Sequence, residues 1–409
     1  MKLFFVLGNH PALSAAEIAC VLRPETEFEL AERQVLIAET PATDAEYLIK
    51  RLGGTIKVGS VLSFCPSRNP EVFKAEILKL IEEDLAKRTQ TNKYCFGFSY
   101  YGANPPDLKK IGLSIKGTLK EKGVSARFVV SNERTLSSVV VAQNKLVRGG
   151  AELILAENSE GIFIGKTLAV QDFKGLSRRD YGRPGRDDLS GMLPPKVAQI
   201  MLNLSQKIPV HCDCTLNKTE KCPLIIDPFC GSGTVLMEAE MMGAENLIGS
   251  DISPKAIADT KINLEWLKKN GQIRKGDWQL LEVSATEVSK KITPASVDAI
   301  VTEPYLGPQR GAHDLSKTSA DLERLYSAAL VEFKKILKPD GHIVLVFPAF
   351  ASGRRPDLRF INPNIDGYKI IETLPVNLRN SLRTTARGTL IYGRPEQKVW
   401  REIVVLKLA

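Results

Sequence analysis

The sequence predicts an α/β protein with a mainly parallel sheet in its C-terminal half, preceded by two smaller α+β units. Strand-like and helical segments alternate from residue 224 to residue 347, and a Gly-rich turn links the first of these strands to its helix. The 409 residues also exceed what one hydrophobic core accommodates, which is about 250–300 residues. We therefore expect two or three domains.

The first unit, residues 1–65, mixes short strands with helices. Apolar runs predict strands at 3–7, 35–38 and 58–64, and apolar residues three and four apart predict a helix over 11–22. The opening apolar run is too short for a signal sequence, and no small-residue cleavage site follows it. We interpret it as the first strand.

The second unit, residues 66–170, begins with an amphipathic helix over 71–86. In the strand that follows, over 93–101, aromatic residues recur at every second position and share one face. The other predicted elements are a lysine-rich helix over 108–122, strands over 126–130, 151–156 and 161–168, and a helix before the strand at 151–156 that ends at Lys145, Arg148 and the Gly149-Gly150 pair. Residues 171–190 are polar and rich in Gly and Pro, which is typical of a linker that docks on the next domain.

The third unit, residues 191–409, begins with a helix over 194–204 that opens with two prolines. The alternating elements are strands at 224–229, 246–252, 278–285, 297–302 and 342–347 and helices at 233–242, 254–269 and 318–337. The chain ends with strand-like stretches at 368–377, 388–393 and 402–408. These stretches predict a terminal antiparallel hairpin.

The overall charge favours a polyanionic partner. Lys and Arg together number 56 and Asp and Glu 47, which gives a formal net charge of +9. Seven cysteines, an odd number, form no evident disulfide framework, which favours a reducing cytoplasm. No segment resembles a membrane span, so no membrane partner is expected. The oligomeric state is not predicted.

The most specific signal is the run Asp-Pro-Phe-Cys-Gly-Ser-Gly-Thr at 227–234, between a predicted strand and a predicted helix. Gly231 and Gly233 remove side chains that would keep a ligand away from the backbone, and the turn presents amide groups at a helix N-terminus. This arrangement is typical of a nucleotide-type cofactor site. A dinucleotide fingerprint fits poorly because Val235 and Leu236 stand where a third glycine is expected, and no Gly-Lys-Ser/Thr of a Walker A loop follows.

This run resembles motif I of the S-adenosylmethionine-dependent methyltransferases. The resemblance implies a Rossmann-like class I methyltransferase fold, with S-adenosylmethionine as cofactor. Asp251 ends the second strand, where a carboxylate can accept both hydroxyls of a ribose. Ser284 ends the third strand, where related enzymes place an Asp that holds the adenine amino group. The predicted cofactor-binding residues are Asp227, Phe229, Gly231, Gly233, Thr234, Asp251, Ile252, Ser284 and Ala285.

A second motif, Glu303-Pro304-Tyr305, follows the fourth strand and resembles motif IV of amino-methylating enzymes, Asp/Asn-Pro-Pro-Tyr/Phe. An exocyclic amine is a poor nucleophile because its lone pair is delocalised into the ring. The Glu303 carboxylate and the Pro304 carbonyl would accept its hydrogens and localise that lone pair, and an aromatic ring would stack on the base. Glu303 is one methylene longer than Asp, and one proline is missing. An ungapped alignment places Leu306 at the aromatic position, whereas a one-residue deletion places Tyr305 there.

The order of these parts resembles the THUMP-domain RNA methyltransferases, and within them the tRNA guanosine-10 N2-methyltransferase family. The similar pieces lie at 5–8, 161–165, 171–172, 179–184 and 192–198. The resemblance implies a ferredoxin-like first unit, a THUMP-like RNA-binding second unit and a methyltransferase domain over 191–409. It also implies methyl transfer to a guanosine N2 in tRNA, and it leaves open the need for a small activating protein.

Basic segments agree in part with an RNA partner. The residues predicted to neutralise phosphates are Lys109, Lys110 and Lys116 in the lysine-rich helix and Arg178, Arg179 and Arg183 in the linker. A solvated helix face is the other interpretation of the lysines. The tail holds a further basic segment, with Arg379, Arg383, Arg387 and Arg394.

Two further interpretations concern a metal and the reaction. His211, Cys212, Cys214 and Cys222 are soft ligands that zinc accepts, but their spacing is not a paired Cys-x-x-Cys, and no metal is included in the predicted site. Motif IV is shared with DNA amino-methyltransferases, which the N-terminal units disfavour. A catalytically silent tRNA-binding protein that retains the cofactor site is the remaining alternative.

Overall fold

The computed structural model describes residues 1–22, 24–41, 44–88, 92–186, 192–208, 222–273, 278–308, 314–352 and 357–409. The described strands form an eight-stranded sheet in the N-terminal half and a nine-stranded sheet in the C-terminal half. None of the helices in these ranges is long and apolar enough to cross a membrane.

The N-terminal sheet has the strand order β2-β3-β1-β4-β8-β7-β5-β6. Its strands are β1 (Lys2–Leu7), β2 (Phe28–Ala31), β3 (Val35–Glu39), β4 (Thr55–Cys65), β5 (Tyr94–Tyr101), β6 (Ala126–Val129), β7 (Gly150–Glu157) and β8 (Ile162–Val170). The helices are α1 (Pro11–Val21), α2 (Ala45–Arg51), α3 (Pro70–Ala86), α4 (Leu108–Glu121) and α5 (Ser138–Gln143). Antiparallel pairing of β4 with β8 joins the strands of the two predicted units into one sheet. The predicted boundary after residue 65 therefore falls at a strand end within this sheet, and the division into domains stays a prediction.

The C-terminal sheet has the order β11-β10-β9-β12-β13-β17-β15. Its strands are β9 (Leu224–Asp227), β10 (Asn246–Asp251), β11 (Trp278–Glu282), β12 (Val297–Thr302), β13 (Leu337–Ser352), β14 (Asp357–Phe360), β15 (Tyr368–Ile370), β16 (Leu390–Tyr392) and β17 (Val399–Leu408). The first five strands in this order are parallel, and β17 is antiparallel to both β13 and β15. Parallel strands align their carboxyl ends at one edge of the sheet, where such sheets bind ligands.

The α-helices described in this half are α6 (Phe173–Tyr181), α7 (Pro195–Leu204), α8 (Thr234–Met241), α9 (Pro254–Lys269) and α10 (Leu315–Ile336). Helix α6 lies in the predicted linker, where the Asp172 side chain caps it by accepting from the N–H of Gly175. Helices α2 and α6 and strands β2 and β14 were not predicted from the sequence. The other predicted elements are present with shifted ends, and the predicted stretch at 368–377 is a strand only over β15.

Helices α1 and α7 connect the two halves of the molecule. Their apolar residues belong to one core that also contains strand residues of both sheets. Within it, the Glu17 carboxylate accepts from the N–H groups of Gly53 and Gly54, both at 2.8 Å, and from Nδ2 of Asn203 at 2.7 Å. Burial raises the pKa of Glu17 to about 7. The N-terminal sheet is thus fastened directly to the half that carries motif I.

Candidate active site

The turn after β9 leaves its backbone open on one side. Gly231 and Gly233 have positive φ angles of 52° and 82°, which residues with a Cβ rarely adopt. A Cβ on Gly231 would meet no atom within 4 Å, whereas a Cβ on Gly233 would lie 2.8 Å from the Thr260 side chain. Gly231 therefore leaves room for a ligand beside the backbone, and Gly233 permits close packing against α9.

Helix α9 holds this turn in place. Thr260 Oγ1 donates to the Gly231 carbonyl at 2.8 Å, and Asn263 Nδ2 donates to the carbonyls of Ser232 at 2.8 Å and Gly185 at 2.7 Å. Asn263 is fully buried, and its Oδ1 accepts from the N–H of Gly185 at 2.8 Å. These bonds fix the turn before any ligand binds, as a preorganised site requires.

Asp251 lies beside the turn at the end of β10. One of its oxygens accepts from the N–H of Gly231 at 3.0 Å, and the other from the N–H of Ser253 at 2.9 Å. A carboxylate offers about four lone-pair sites, so each oxygen keeps acceptor capacity for a ribose hydroxyl. Ser253, rather than Asp251, caps α9 by accepting from the N–H of Ala256. The predicted ribose role is therefore compatible with the local structure.

Asp227 has a different position from the other predicted cofactor residues. It is buried, and its Oδ1 accepts from Thr302 Oγ1 at 2.6 Å and from the N–H of Phe229 at 3.2 Å. Burial raises its pKa to about 7 against these two bonds, and the charges of Asp251 and Glu303 raise it further. Asp227 thus ties together the ends of β9 and β12.

A cavity of about 570 Å³ opens at the carboxyl ends of the parallel strands. Its volume is within the range of about 300–1,000 Å³ found for small-molecule sites. The predicted residues that line it are Phe229, Gly231, Asp251, Ile252, Ser284, Ala285, Glu303, Pro304 and Tyr305. Asp227 and Thr234 line an adjoining cavity of about 90 Å³, and Gly233 lines neither cavity. The two motifs therefore meet in one space, which we call the catalytic cavity.

Two residues of this cavity bear on adenine binding. Ile252 is 73% exposed there, which suits the apolar face of an adenine ring. Ser284 caps a short 3-10 helix over Ala285–Lys290, and its Oγ accepts from the N–H of Thr286 at 3.3 Å. The Ser284 hydroxyl therefore has a local partner already.

Glu303 forms a two-point ion pair with Arg401 on β17. Nε of Arg401 donates to Oε1 at 2.5 Å, and Nη2 donates to Oε2 at 3.2 Å. The two side chains are only 9% and 11% exposed, with Arg401 given first. Burial lowers the pKa of Arg401 and the Glu303 charge raises it, with a net increase. The pair holds a charged carboxylate in the wall of the catalytic cavity.

Helix α10 supports the rest of motif IV. The buried Tyr326 donates its hydroxyl to the carbonyl of Tyr305 at 2.8 Å. Burial, followed by the Glu303 charge, raises the pKa of Tyr326 far above its ordinary value, so this donor keeps its proton. The Tyr305 side chain is 53% exposed at the cavity, whereas Leu306 is buried. Tyr305 is therefore the aromatic ring that this loop offers to a base.

Two arginines predicted to contact RNA are buried inside the protein, and the prediction is wrong for both. Arg179 is 6% exposed and donates to both carboxylate oxygens of Glu238, at 2.6 and 3.0 Å. Arg183 is 2% exposed and donates to Thr234 Oγ1 at 2.7 Å. Their bonds fasten the predicted linker to α8, which leaves no surface for a phosphate.

The other predicted RNA-binding residues lie at the surface. Lys109, Lys110 and Lys116 are exposed on α4. Arg178 is exposed too, although its guanidinium lies over the Trp266 ring, 5.3 Å from the centroid. Contact of these four residues with RNA stays a prediction.

The candidate zinc cluster falls mostly outside the described residues, which exclude His211, Cys212 and Cys214. Cys222 is described, and its thiol donates to Oε2 of Glu245 at 3.3 Å. In the described part of the chain, no group of three or more His, Cys, Asp or Glu residues could hold a metal.

The sequence analysis missed Arg401 and Tyr326 as parts of the site. A signal for Arg401 was present, because Arg401 and Glu402 interrupt the apolar run from Val399 to Leu406 and both are buried. An ionised side chain is rarely buried without a partner. Tyr326 carried no such signal, because only the fold brings α10 against the loop.

Comparison with known proteins agrees with this geometry. Residues 186–352 match the RMKL-like methyltransferase domain, UPF0020. The chain is 28% identical over 204 residues to a tRNA (guanine(10)-N2)-dimethyltransferase of Methanocaldococcus jannaschii, covering 48% of each chain. It therefore spans about half the length of that relative. It is 24% identical over 357 residues to the protein of the same name from Methanothermobacter thermautotrophicus, covering 86% of this chain and 90% of that one.

The fold is shared with a solved structure. TrmN from Thermus thermophilus matches with a TM-score of 0.52 and 16% identity, covering 100% of both chains. The predicted Rossmann-like methyltransferase fold is confirmed, whereas the THUMP-like second unit stays a prediction. The open backbone at Gly231, the spare acceptors of Asp251 and the exposed Ile252 fit S-adenosylmethionine, and this predicted cofactor is confirmed. Residues 186–352 of this chain therefore form a methyltransferase domain of the RMKL-like type.

Proposed function

We propose that this protein transfers the methyl group of S-adenosylmethionine to the exocyclic N2 of a guanosine in tRNA. The observation that carries the proposal is the position of Glu303, whose charged carboxylate lines the same cavity as Gly231 and Asp251. The name of the relative that aligns with 86% of this chain, a tRNA (guanine(10)-N2)-dimethyltransferase, supports tRNA as the substrate. A tRNA substrate also favours the cytoplasm as the place of action.

One set of residues would bind the cofactor, and a second would bind the target base. When bound, S-adenosylmethionine supplies an electrophilic methyl group on a sulfonium. Asp251 would accept hydrogen bonds from the ribose hydroxyls, and Ile252 would contact the face of the adenine ring. The backbone of the Gly231 turn would lie against the cofactor. Tyr305 would stack on the target base, which must leave its own stack to enter the cavity at a cost of a few kcal/mol.

The charge of Glu303 favours guanine over adenine and cytosine. The N1–H and N2–H groups of guanine are adjacent donors, which the two oxygens of one carboxylate can accept together. In adenine and cytosine, the ring nitrogen next to the exocyclic amine is an acceptor. Its lone pair would face the second oxygen of the carboxylate and repel it. Because Arg401 supplies the counter-charge of the Glu303 carboxylate, the site suits the guanine edge.

The proposed reaction is a direct displacement at the methyl carbon, and the protein promotes it by orienting the guanine amine. Glu303 and the carbonyl of Pro304 accept the hydrogens of N2 and direct its lone pair at the methyl carbon. The N–C bond forms as the C–S bond breaks, and the sulfur keeps the electron pair. The proton lost from N2 passes to Glu303 and then to solvent.

Labelled cofactor tests the proposal directly. Purified protein is incubated with methyl-labelled cofactor and either bulk tRNA or DNA, and the nucleic acid is digested to nucleosides. We expect label in N2-methylguanosine from tRNA. Label confined to DNA would overturn the proposal in favour of a DNA amino-methyltransferase. Cofactor binding without transfer to either nucleic acid would identify a silent binding protein.

A further inference from the structure

We propose that Lys196, Arg394, Arg383 and Arg33 form a cationic groove that carries the RNA phosphodiester backbone next to the nucleotide being methylated. The inference rests on the proposed function for its RNA substrate. It adds a surface that the methyltransferase motifs do not contain, at the junction of the N-terminal sheet with the C-terminal hairpin of β16 and β17.

The groove follows from two cavities on either side of β16. Tyr392 lines the catalytic cavity, whereas its neighbour Ile391 lines a second cavity of about 310 Å³. Successive residues of a strand point to opposite faces, so β16 forms a wall between the two spaces. His10 lines the second cavity and lies against Tyr392, with 4.7 Å between the ring centroids. The ring pair and β16 therefore lie between the two spaces.

The four cations of the groove are distributed along both spaces. Arg394 lines the catalytic cavity, and Arg33 and Arg383 line the second cavity. Lys196 lies in the first turn of α7, directly after Pro194 and Pro195, and Pro194 also lines the catalytic cavity. The cations thus lead from the methyl-transfer site toward the β2–β3 turn of the N-terminal sheet.

These four side chains are exposed, and in the described part of the chain none of them forms a salt bridge. The remaining arginines of the same basic tail differ in this respect. Arg379 pairs with Glu372, and Arg387 pairs with both oxygens of Glu402. The structure thus separates the tail arginines into two that are paired with carboxylates and two that face the groove.

The charges in the groove are close enough to act on one another. Burial and then the charges of Lys196 and Arg394 lower the pKa of His10, and burial and Arg394 lower the pKa of Lys196. Asp180 is a carboxylate within reach of Lys196 and Arg394, and burial raises its pKa against their influence. Lys196 and Arg394 therefore place two positive charges near the single carboxylate of Asp180, which favours a bound anion beside them.

A nucleic-acid strand fits this groove better than an isolated anion. A strand whose base is inserted in the catalytic cavity must continue along the protein surface on at least one side of it. Grooves that hold single strands combine cations along the backbone with aromatic rings that stack on bases. The groove supplies the cations, and the half-buried ring of His10 lies between them.

The salt dependence of tRNA binding tests the groove. We expect the double variant Arg33→Gln with Arg383→Gln to reduce the slope of log Kobs against log salt by about 1.4, at about 0.7 for each lost phosphate contact of a single strand. The affinity for S-adenosylmethionine and the thermal midpoint should not change. Arg33→Lys with Arg383→Lys should keep the slope, because the charges remain. Lys261→Gln with Lys269→Gln, on the exposed side of α9, is the matched control and should keep it too.

Two results would overturn the groove. One is an unchanged slope in the Gln double variant, and the other is an equal loss in the α9 control, which would indicate diffuse attraction by net charge. Failure of the proposed function is seen separately, as absence of N2-methylguanosine from tRNA treated with the wild-type protein. If the Gln substitutions leave the slope unchanged and the enzyme still methylates tRNA, the groove proposal is refuted and the proposed function stands.

Discussion

The cofactor side and the base side of the catalytic cavity are built in different ways. Most of the cofactor side comes from one stretch of chain from β9 to α9, in which the turn, Asp251 and the supporting residues Thr260 and Asn263 follow one another. The base side depends on Glu303, whose partner Arg401 is 98 residues away. Local sequence therefore specifies most of the cofactor site, whereas residues distant in the chain shape the site for the base.

The largest expected effect is a loss of methyl transfer when the base side is changed, with little change in cofactor binding. Glu303→Gln keeps the size of the side chain but removes the charge that accepts the amine hydrogens. We expect kcat on tRNA to fall about 10²–10³-fold, as for loss of one preorganised polar group. The affinity for S-adenosylmethionine, measured by calorimetry, should change little. Glu282→Gln, at the exposed end of β11, is the control and should retain activity. Full activity of Glu303→Gln would show that the base side is misassigned.

The second effect concerns stability on the base side. Arg401→Ala leaves the buried Glu303 without its counter-charge, and we expect a loss of about 3 kcal/mol in the free energy of unfolding. The double variant with Glu303→Gln should recover part of that loss, because no unpaired carboxylate remains. Urea unfolding of the wild type, both single variants and the double variant measures this coupling. Additive losses would mean that the ion pair contributes nothing.

The third effect concerns the cofactor side alone. Asp251→Asn retains the shape of the side chain but replaces a charged acceptor, and hydrogen bonds to charged groups contribute about 1.5–3 kcal/mol. We expect S-adenosylmethionine to bind about 10–100-fold more weakly. Asp321→Asn, on the surface of α10, should bind the cofactor like the wild type. A normal cofactor affinity in Asp251→Asn would contradict the ribose assignment.

The smallest effect lies where the two sides meet, at Asp227. Its pKa rises from an ordinary value of 3.8 to about 7, so the folded protein keeps a proton that the unfolded chain releases. Its contribution to stability is therefore complete below about pH 4 and is lost as the pH rises through 7. Between pH 5 and 7 the wild type should lose more stability than Asp227→Asn, measured by urea unfolding. Glu17 adds a similar trend to both proteins, so only their difference is diagnostic. Parallel pH curves would contradict the raised pKa.

Most of the strands and helices could be predicted because their apolar residues recur at the spacing of the element they form. Helix α6 was missed because its polar sequence, with Gly175 inside it, is typical of a linker. It is stabilised by contacts elsewhere in the chain, including the ion pair of Arg179 with Glu238. The same burial explains why Arg179 and Arg183 are wrong as RNA contacts, since a sequence does not distinguish an exposed arginine from one paired inside the fold.

By itself the sequence determined the methyltransferase fold, the glycine turn and the place of Asp251, because strand, turn and helix are adjacent in the chain and their geometry is local. Only the tertiary structure decided the partner of Glu303, the support of Tyr305 by Tyr326 and the separation of paired from unpaired arginines in the tail. These depend on which residues meet after the sheet has formed. Burial makes these contacts important for stability, because a charge removed from water requires a partner beside it.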